Sequence, residues 1–234
     1  MVRIKQTSQV FETCEVCSAR YMKHTTAPLI PGMYYHIYNR GNNRENLFLE
    51  KRNYSYFLSL YAKHIEPIAD TYAYCLMRNH FHVSLRIKTE DEYQTARVSE
   101  TRAVSNLKKF NPSQNFSNLF NAYAKAINKG YGRTGSLFEE RFGRIPVTSD
   151  SYFMTLIFYI HYNPQKHGFV GDFRDWEWSS YHALVGTEET TLKRNEVLSM
   201  FGGRKGFEEF HQGMMDEKKL TKLVDEEFEL EAQT

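Results

Sequence analysis

In the stretch CLMRNHFHVSLRIK, Cys75 to Lys88, two histidines flank a phenylalanine at the start of a run that alternates polar and apolar. A strand sends successive side chains to opposite faces. His80 and His82 therefore share one open face with Ser84, Arg86 and Lys88, while Phe81, Val83, Leu85 and Ile87 point to the core. Two imidazoles at i and i+2 make a compact pair of nitrogen donors for a divalent metal. The same spacing also fits two histidines on the solvent side of a sheet. Further along, Asp150 to Tyr162 carries Phe153, Leu156, Ile157 and Ile160 at helical spacing. Tyr159 and Asn163, four residues apart, lie on one face of that helix, about 100° round from the centre of the apolar stripe. A metal held by two imidazoles needs an oxygen donor, which the Asn163 carboxamide can supply, and a tyrosine beside such a metal is a nucleophile for phosphorus. Tyr159 is also one of 16 tyrosines, and an ordinary amphipathic residue would look the same.

The elements that must position these groups follow from periodicity. MYYHIYNR, Met33 to Arg40, is dense in β-formers and is broken by GNNRE, which predicts a strand and a loop. KRNYSYFLSLYAKHI has Tyr54, Phe57, Leu58, Tyr61 and Ile65 at helical spacing, and Pro67 ends it. TYAYCLM reads as a strand joined by a tight connection near Arg78 and Asn79 to HFHVSLRIK. Thr89 to Gln114 is polar, and Ser117 to Lys129 predicts a helix closed by Gly130. SLFEERFGRIPV looks extended. Asp150 is the expected N-cap of the next helix and Pro164 its expected stop. DWEWSSYHALVG is expected to pack back on the core. This order predicts an α+β fold, a central antiparallel sheet with helices on one face and the other face polar or occupied. The expected organisation is an extension over 1–30, a domain over 31–186, and a polar, acidic, partly helical tail over 187–234.

Composition narrows the classes. The chain is 41% hydrophobic and 25% charged, and no apolar run approaches the roughly 18–20 residues of a membrane span. The basic N-terminal stretch lacks the apolar core of a secretory signal, so the expectation is a cytoplasmic protein with no membrane partner. Three cysteines do not suggest a disulfide framework; Cys14 and Cys17 form a lone CxxC, half of a zinc site or an accidental pair. Net charge is only +2, yet Arg102 to Arg144 carries eight Lys/Arg against Glu139 and Glu140, whereas Phe207 to the end has nine acids against three lysines. A basic region masked by an acidic tail is a candidate for phosphate binding; two solvated faces of opposite sign fit equally.

HFHV resembles the histidine–hydrophobic–histidine motif of the HUH endonucleases. FYIHYNPQKHGFV resembles the tyrosine helix and following NPxKHG of single-tyrosine transposases, in particular the REP-associated tyrosine transposases. YYHIYNRGNNRENLF resembles that family's opening strand and loop, and GSLFEERFGRIPV the segment before its tyrosine helix. The four motifs occur in order between about Gly32 and Tyr181. The resemblance implies a ferredoxin-like or RRM-like core, with His80 and His82 as the metal pair, Tyr159 as nucleophile and Asn163 completing the shell where insertion-sequence relatives usually have glutamine. It also implies Mg2+ or Mn2+, a 5′-phosphotyrosine intermediate with a free 3′-OH, and single-stranded or hairpin DNA of palindromic repeats as substrate. Phosphate contacts are expected among Asn39, Arg40, Arg44, Arg86, Lys108, Lys109, Lys125, Lys129, Arg133, Arg141 and Arg144. Relatives exchange tyrosine helices between subunits or place the helix over their own site, so monomer and homodimer are both open. Two other readings compete: a DNA-binding regulator of repeated palindromes that has lost transposition, and a rolling-circle initiator or relaxase. The single tyrosine at this spacing argues against the latter.

Overall fold

Strand β1, Tyr34–Arg40, buries Tyr35 and Ile37 on one face and His36 on the other, so both of its faces are covered. In this computed structural model, which describes residues 27–100 and 110–214, β1 lies inside a four-stranded sheet. Helix α1, Lys51–His64, carries the chain from β1 to β2, Ala69–Leu76, at one edge, and a turn at Arg78 and Asn79 returns β3, His80–Ile87, beside β1. Helices α2, Glu90–Glu100, and α3, Pro112–Tyr131, precede β4, Gly143–Pro146, which pairs with the free side of β1. All neighbours are antiparallel and the order is β2-β3-β1-β4, as in a ferredoxin-like core. Among the described residues no helix is long and apolar enough to cross a membrane.

Helices α1 and α3 bury Tyr54, Phe57, Phe116, Leu119, Tyr123 and Ile127 against the sheet face formed by Tyr35, Ile37, Phe81, Val83, Leu85 and Ile87. Helix α3 starts a turn earlier than its apolar stripe suggests. Asn111 caps it by accepting from the Gln114 amide at 3.1 Å, with Pro112 at the first helical position and left-handed Gly132 (φ 62°) closing the other end.

The opposite face, expected to be polar or occupied, is occupied. Helix α4, Asp150–Lys166, buries Phe153, Leu156, Ile157, Phe158 and Ile160 in a second cluster with Tyr72, Cys75 and Ile145. Its cap is Ser149, whose hydroxyl accepts from the Tyr152 amide at 3.1 Å; Asp150 sits in the first turn, where a carboxylate suits the helix dipole. Pro164 does not stop the helix. It lies in the last turn, and the end is closed by His167 N–H to Asn163 O and Phe169 N–H to Pro164 O.

The segment after α4 runs along β2 through Leu76 N–H to Trp178 O, Ser180 N–H to Tyr74 O and Lys193 N–H to Thr71 O, covering a sheet edge. It includes α5, Tyr181–Val185, then α6, Arg194–Met200, and α7, Arg204–Met214. Val197, Phe201 and Phe207 join the core beside α4, so the region from 187 is not merely a polar tail. Its surface charges, including the Arg204–Glu208 and Lys205–Glu209 pairs, hide a narrow apolar stripe. Cys14, Cys17, Arg102, Lys108, Lys109 and the acidic residues from Asp216 onward lie outside the described residues.

A buried polar chain ties α7 to α4. His211 Nδ1–H donates to Phe207 O at 2.8 Å, so neutral His211 accepts at Nε2 from His161 Nδ1–H at 3.0 Å. His161 Nε2 must then accept from Ser180 Oγ at 2.9 Å, and that hydroxyl accepts the Tyr74 amide at 2.8 Å. Burial pushes the His211 imidazole down to about 4, and burial together with His211 holds His161 well below its ordinary value. Between pH 6.5 and 4 the unfolded chain binds protons that the folded chain refuses. The stability from this chain is therefore complete above pH 6.5 and is lost as pH falls towards 4, by up to roughly 3 kcal/mol for His211. In thermal unfolding, His211→Gln should be less stable than wild type at pH 7.5, with the gap closing as pH falls. A gap that does not change with pH would contradict this account.

Candidate functional site

The register of β1 against β3 pairs Tyr38 with His82 and Arg40 with His80, at the end of the sheet where α4 finishes. His82 does not lie on an open face: it is 3% exposed beneath α4, while His80 is half-buried. His80 Nδ1–H donates to Asn79 Oδ1 at 2.7 Å, which leaves Nε2 with its lone pair. His82 Nδ1 lies 2.8 Å from His36 Nε2, and when His82 donates there its own Nε2 is likewise a lone pair. Burial, then His167 and Arg40, push His80 down to about 3; burial first, then His36, His80, His167 and Lys166, hold His82 well below its usual range. Both rings are therefore neutral at pH 7, the form in which imidazole ligates a metal.

Helix α4 brings its tyrosine to the same place. The Tyr159 ring stands edge-on to His82 at 5.4 Å and to His36 at 6.0 Å between centroids. Asn163, one turn on, donates Nδ2–H to Tyr159 O at 2.9 Å, while its Oδ1 is buried without a hydrogen-bond partner. A buried amide oxygen left unpaired is costly, so this donor set fits a cation that would satisfy it. Among the described residues no three His, Cys, Asp or Glu side chains form a ready metal cluster.

Three further neighbours stand at the site, of which His36 and Lys166 were not singled out from the sequence. His36 comes from β1, and finding it requires the β1–β3 register. His167, in the turn that caps α4, holds its ring 4.9 Å from that of His80. Lys166, seven residues after Tyr159 and on the same helix face, holds Nζ 5.4 Å from the Tyr159 ring centroid; the i, i+7 spacing was a readable signal. Tyr38 completes the cluster, 5.1 Å from His36 and 5.9 Å from His82. Its ring lies over Gly143, where any Cβ would come within 2.0 Å of it. By contrast His161 faces His211, away from the site.

The expected phosphate-binding residues divide. Arg40, Arg44 and Arg141 lie at the histidine end of the sheet; Arg44 and Arg141 are exposed, and Arg40 is 3.4 Å from Glu139. Asn39 is buried, its Oδ1 accepting the Arg40 amide. Arg86 is withdrawn from the set: it pairs with buried Asp70 and with Glu92, locking β2, β3 and α2 together. Arg133 pairs with Glu45, and Arg144 is half-buried with its guanidinium 4.3 Å over Phe142. Lys125 and Lys129 are exposed on α3, in the layer across the sheet from the histidines.

No protein-family model matches the chain. A REP-associated tyrosine transposase of Haemophilus influenzae is 25% identical over 121 residues, which are 51% of this chain and 62% of the relative. The chain thus matches less than two thirds of that relative's length. Among solved structures, a REP-associated tyrosine transposase bound to a REP hairpin is similar with a TM-score of 0.52 and 16% identity, covering 70% of this chain and 86% of that one. The resemblance read from the motifs is therefore matched in sequence over half the chain, and the α+β antiparallel fold is shared.

Proposed function

We propose that this chain is a divalent-metal-dependent, single-tyrosine DNA strand transferase, a cytoplasmic protein acting on hairpin or single-stranded DNA of palindromic repeats. The observation that carries this reading is the meeting of Tyr159 with the His36–His82 pair, beside a buried Asn163 oxygen that has no partner. His80, His82 and Asn163 would hold Mg2+ or Mn2+, which supplies positive charge at the scissile phosphate. The Tyr159 hydroxyl attacks phosphorus, its proton passing to water; the P–O3′ bond breaks and the leaving 3′ oxygen takes a proton from water. The product is a 5′-phosphotyrosine and a free 3′-OH, and attack by another 3′-OH reverses the step and joins strands. Lys166 shields the Tyr159 ring from an exposed, flexible stem, so it can swing towards an incoming phosphate. The tyrosine helix lies over the histidines of its own chain, which supports a monomer acting in cis.

A second reading, a palindrome-binding regulator without cleavage, is favoured by one observation: Tyr159 is only 4% exposed. Incubation with labelled hairpin oligonucleotides and Mg2+ or Mn2+, resolved on a denaturing gel, separates the two. A metal-dependent covalent adduct supports the transferase, and tight binding without any adduct supports the regulator.

Salt dependence tests the DNA path. If Arg40, Arg44, Arg141 and Lys166 each meet a phosphate, log affinity for single strands should fall against log salt with a slope of about −3, at roughly −0.7 per contact. Arg44→Ala should make the slope shallower by about 0.7, whereas Arg86→Ala should lower thermal stability and leave the slope unchanged. An Arg86→Ala protein with normal stability and a shallower slope would reverse these assignments.

A further inference from the structure

We infer that His36 is a positioning residue that sets the tautomer of His82 and thereby its readiness to bind metal; this rests on the reading that His80 and His82 hold a divalent cation. His36 stands on the strand next to His82, diagonally placed, since its own cross-strand partner is Ser84 and that of His82 is Tyr38. It is fully buried, its Nε2 lies 2.8 Å from His82 Nδ1, and the two rings stack at 5.0 Å with 23° between planes. Tyr38, seated over Gly143, packs against both rings, 5.1 Å from His36 and 5.9 Å from His82.

A hydrogen bond between two neutral imidazoles has one donor and one acceptor. Only with His36 Nε2 as acceptor does His82 carry its proton on Nδ1 and present Nε2 as a lone pair; in the opposite arrangement His82 Nε2 bears a hydrogen and cannot ligate. Metal-bound histidines commonly donate their other N–H to a carboxylate, a carbonyl or water. An imidazole acceptor does the same work without adding negative charge. A cation held there would therefore keep its full double charge to meet a phosphate, where a carboxylate acceptor would offset part of it.

Two substitutions in the full chain separate this role from simple packing. His36→Gln can place an amide oxygen near the position of Nε2 and accept the same proton, whereas His36→Phe fills the space and accepts nothing. Mn2+ affinity, read by electron paramagnetic resonance of the free ion, should stay close to wild type in His36→Gln and fall about 10–100-fold in His36→Phe. Metal-free 15N spectra should show His82 protonated at Nδ1 in wild type and His36→Gln, and a mixture of tautomers in His36→Phe. Equal Mn2+ affinity in wild type and His36→Phe, or equal losses in both variants, overturns the inference. A wild type with the fixed tautomer but no Mn2+ binding would instead overturn the metal reading and leave the tautomer assignment standing.

Discussion

Tyr159→Phe should abolish covalent capture of DNA while leaving the fold and hairpin affinity nearly unchanged. The substitution keeps the ring that packs against His82 and His36, and so nearly all of the buried contact, since shape-conserving swaps of this kind cost less than about 1.5 kcal/mol. It deletes the one atom of that side chain able to bond to phosphorus, so binding and chemistry come apart. Tyr162 provides the internal control. It stacks on Phe158 at 5.3 Å with 18° between planes, and also contacts Phe173. Tyr162→Phe should therefore cleave like wild type. Gel assays of both variants on one hairpin substrate check this; loss of the adduct in Tyr162→Phe with retention in Tyr159→Phe would mean that α4 works in a different rotation, and Asn163 would lose its assigned place with it.

Removing the histidines should be nearly as severe for cleavage, but the two are not equivalent for stability. His80 is half-buried and spends one nitrogen on Asn79, so His80→Ala should fold well and lose metal-dependent cleavage by more than the roughly 10–100-fold typical of changes outside the ligand shell. His82 is buried and bonded to His36. His82→Ala leaves a cavity and an unpaired His36 nitrogen, a cost of about 1–3 kcal/mol that should appear as a lower unfolding midpoint. A strand read as half-exposed suggests that both changes are nearly free in stability; that holds for His80 alone. Cleavage by His80→Ala with an unaltered Mg2+ or Mn2+ response would place the metal elsewhere.

What could be read from the sequence, and what could not, has a physical pattern. Period-two alternation places His80 and His82 on one face, and period-3.6 spacing places Tyr159 and Asn163 on another, because each needs only local geometry. Contacts set by pairing between distant strands are not local. His36 is indistinguishable from any strand histidine until β1 is registered against β3, and Arg86 looks like a free cation until Asp70 and Glu92 arrive beside it. Whether the histidine face is polar or occupied was left open for a related reason. Phe153 to Ile160 announces a helix with an apolar stripe, but nothing in the stripe says which side of the sheet it covers. Charge concealed α7: its i, i+4 ion pairs dominate the composition, while Phe207 and His211 carry the packing.

The most direct measurement is the site of covalent attachment. Wild-type protein incubated with a hairpin oligonucleotide and Mn2+ is digested with protease and nuclease, and the nucleotide-bearing peptide is identified by mass spectrometry. The expected product is a 5′-phosphoryl nucleotide on the peptide containing Tyr159, formed only with divalent metal and absent from the Tyr159→Phe protein. An adduct on any other residue, or hairpin binding with no adduct under any metal, would contradict this expectation.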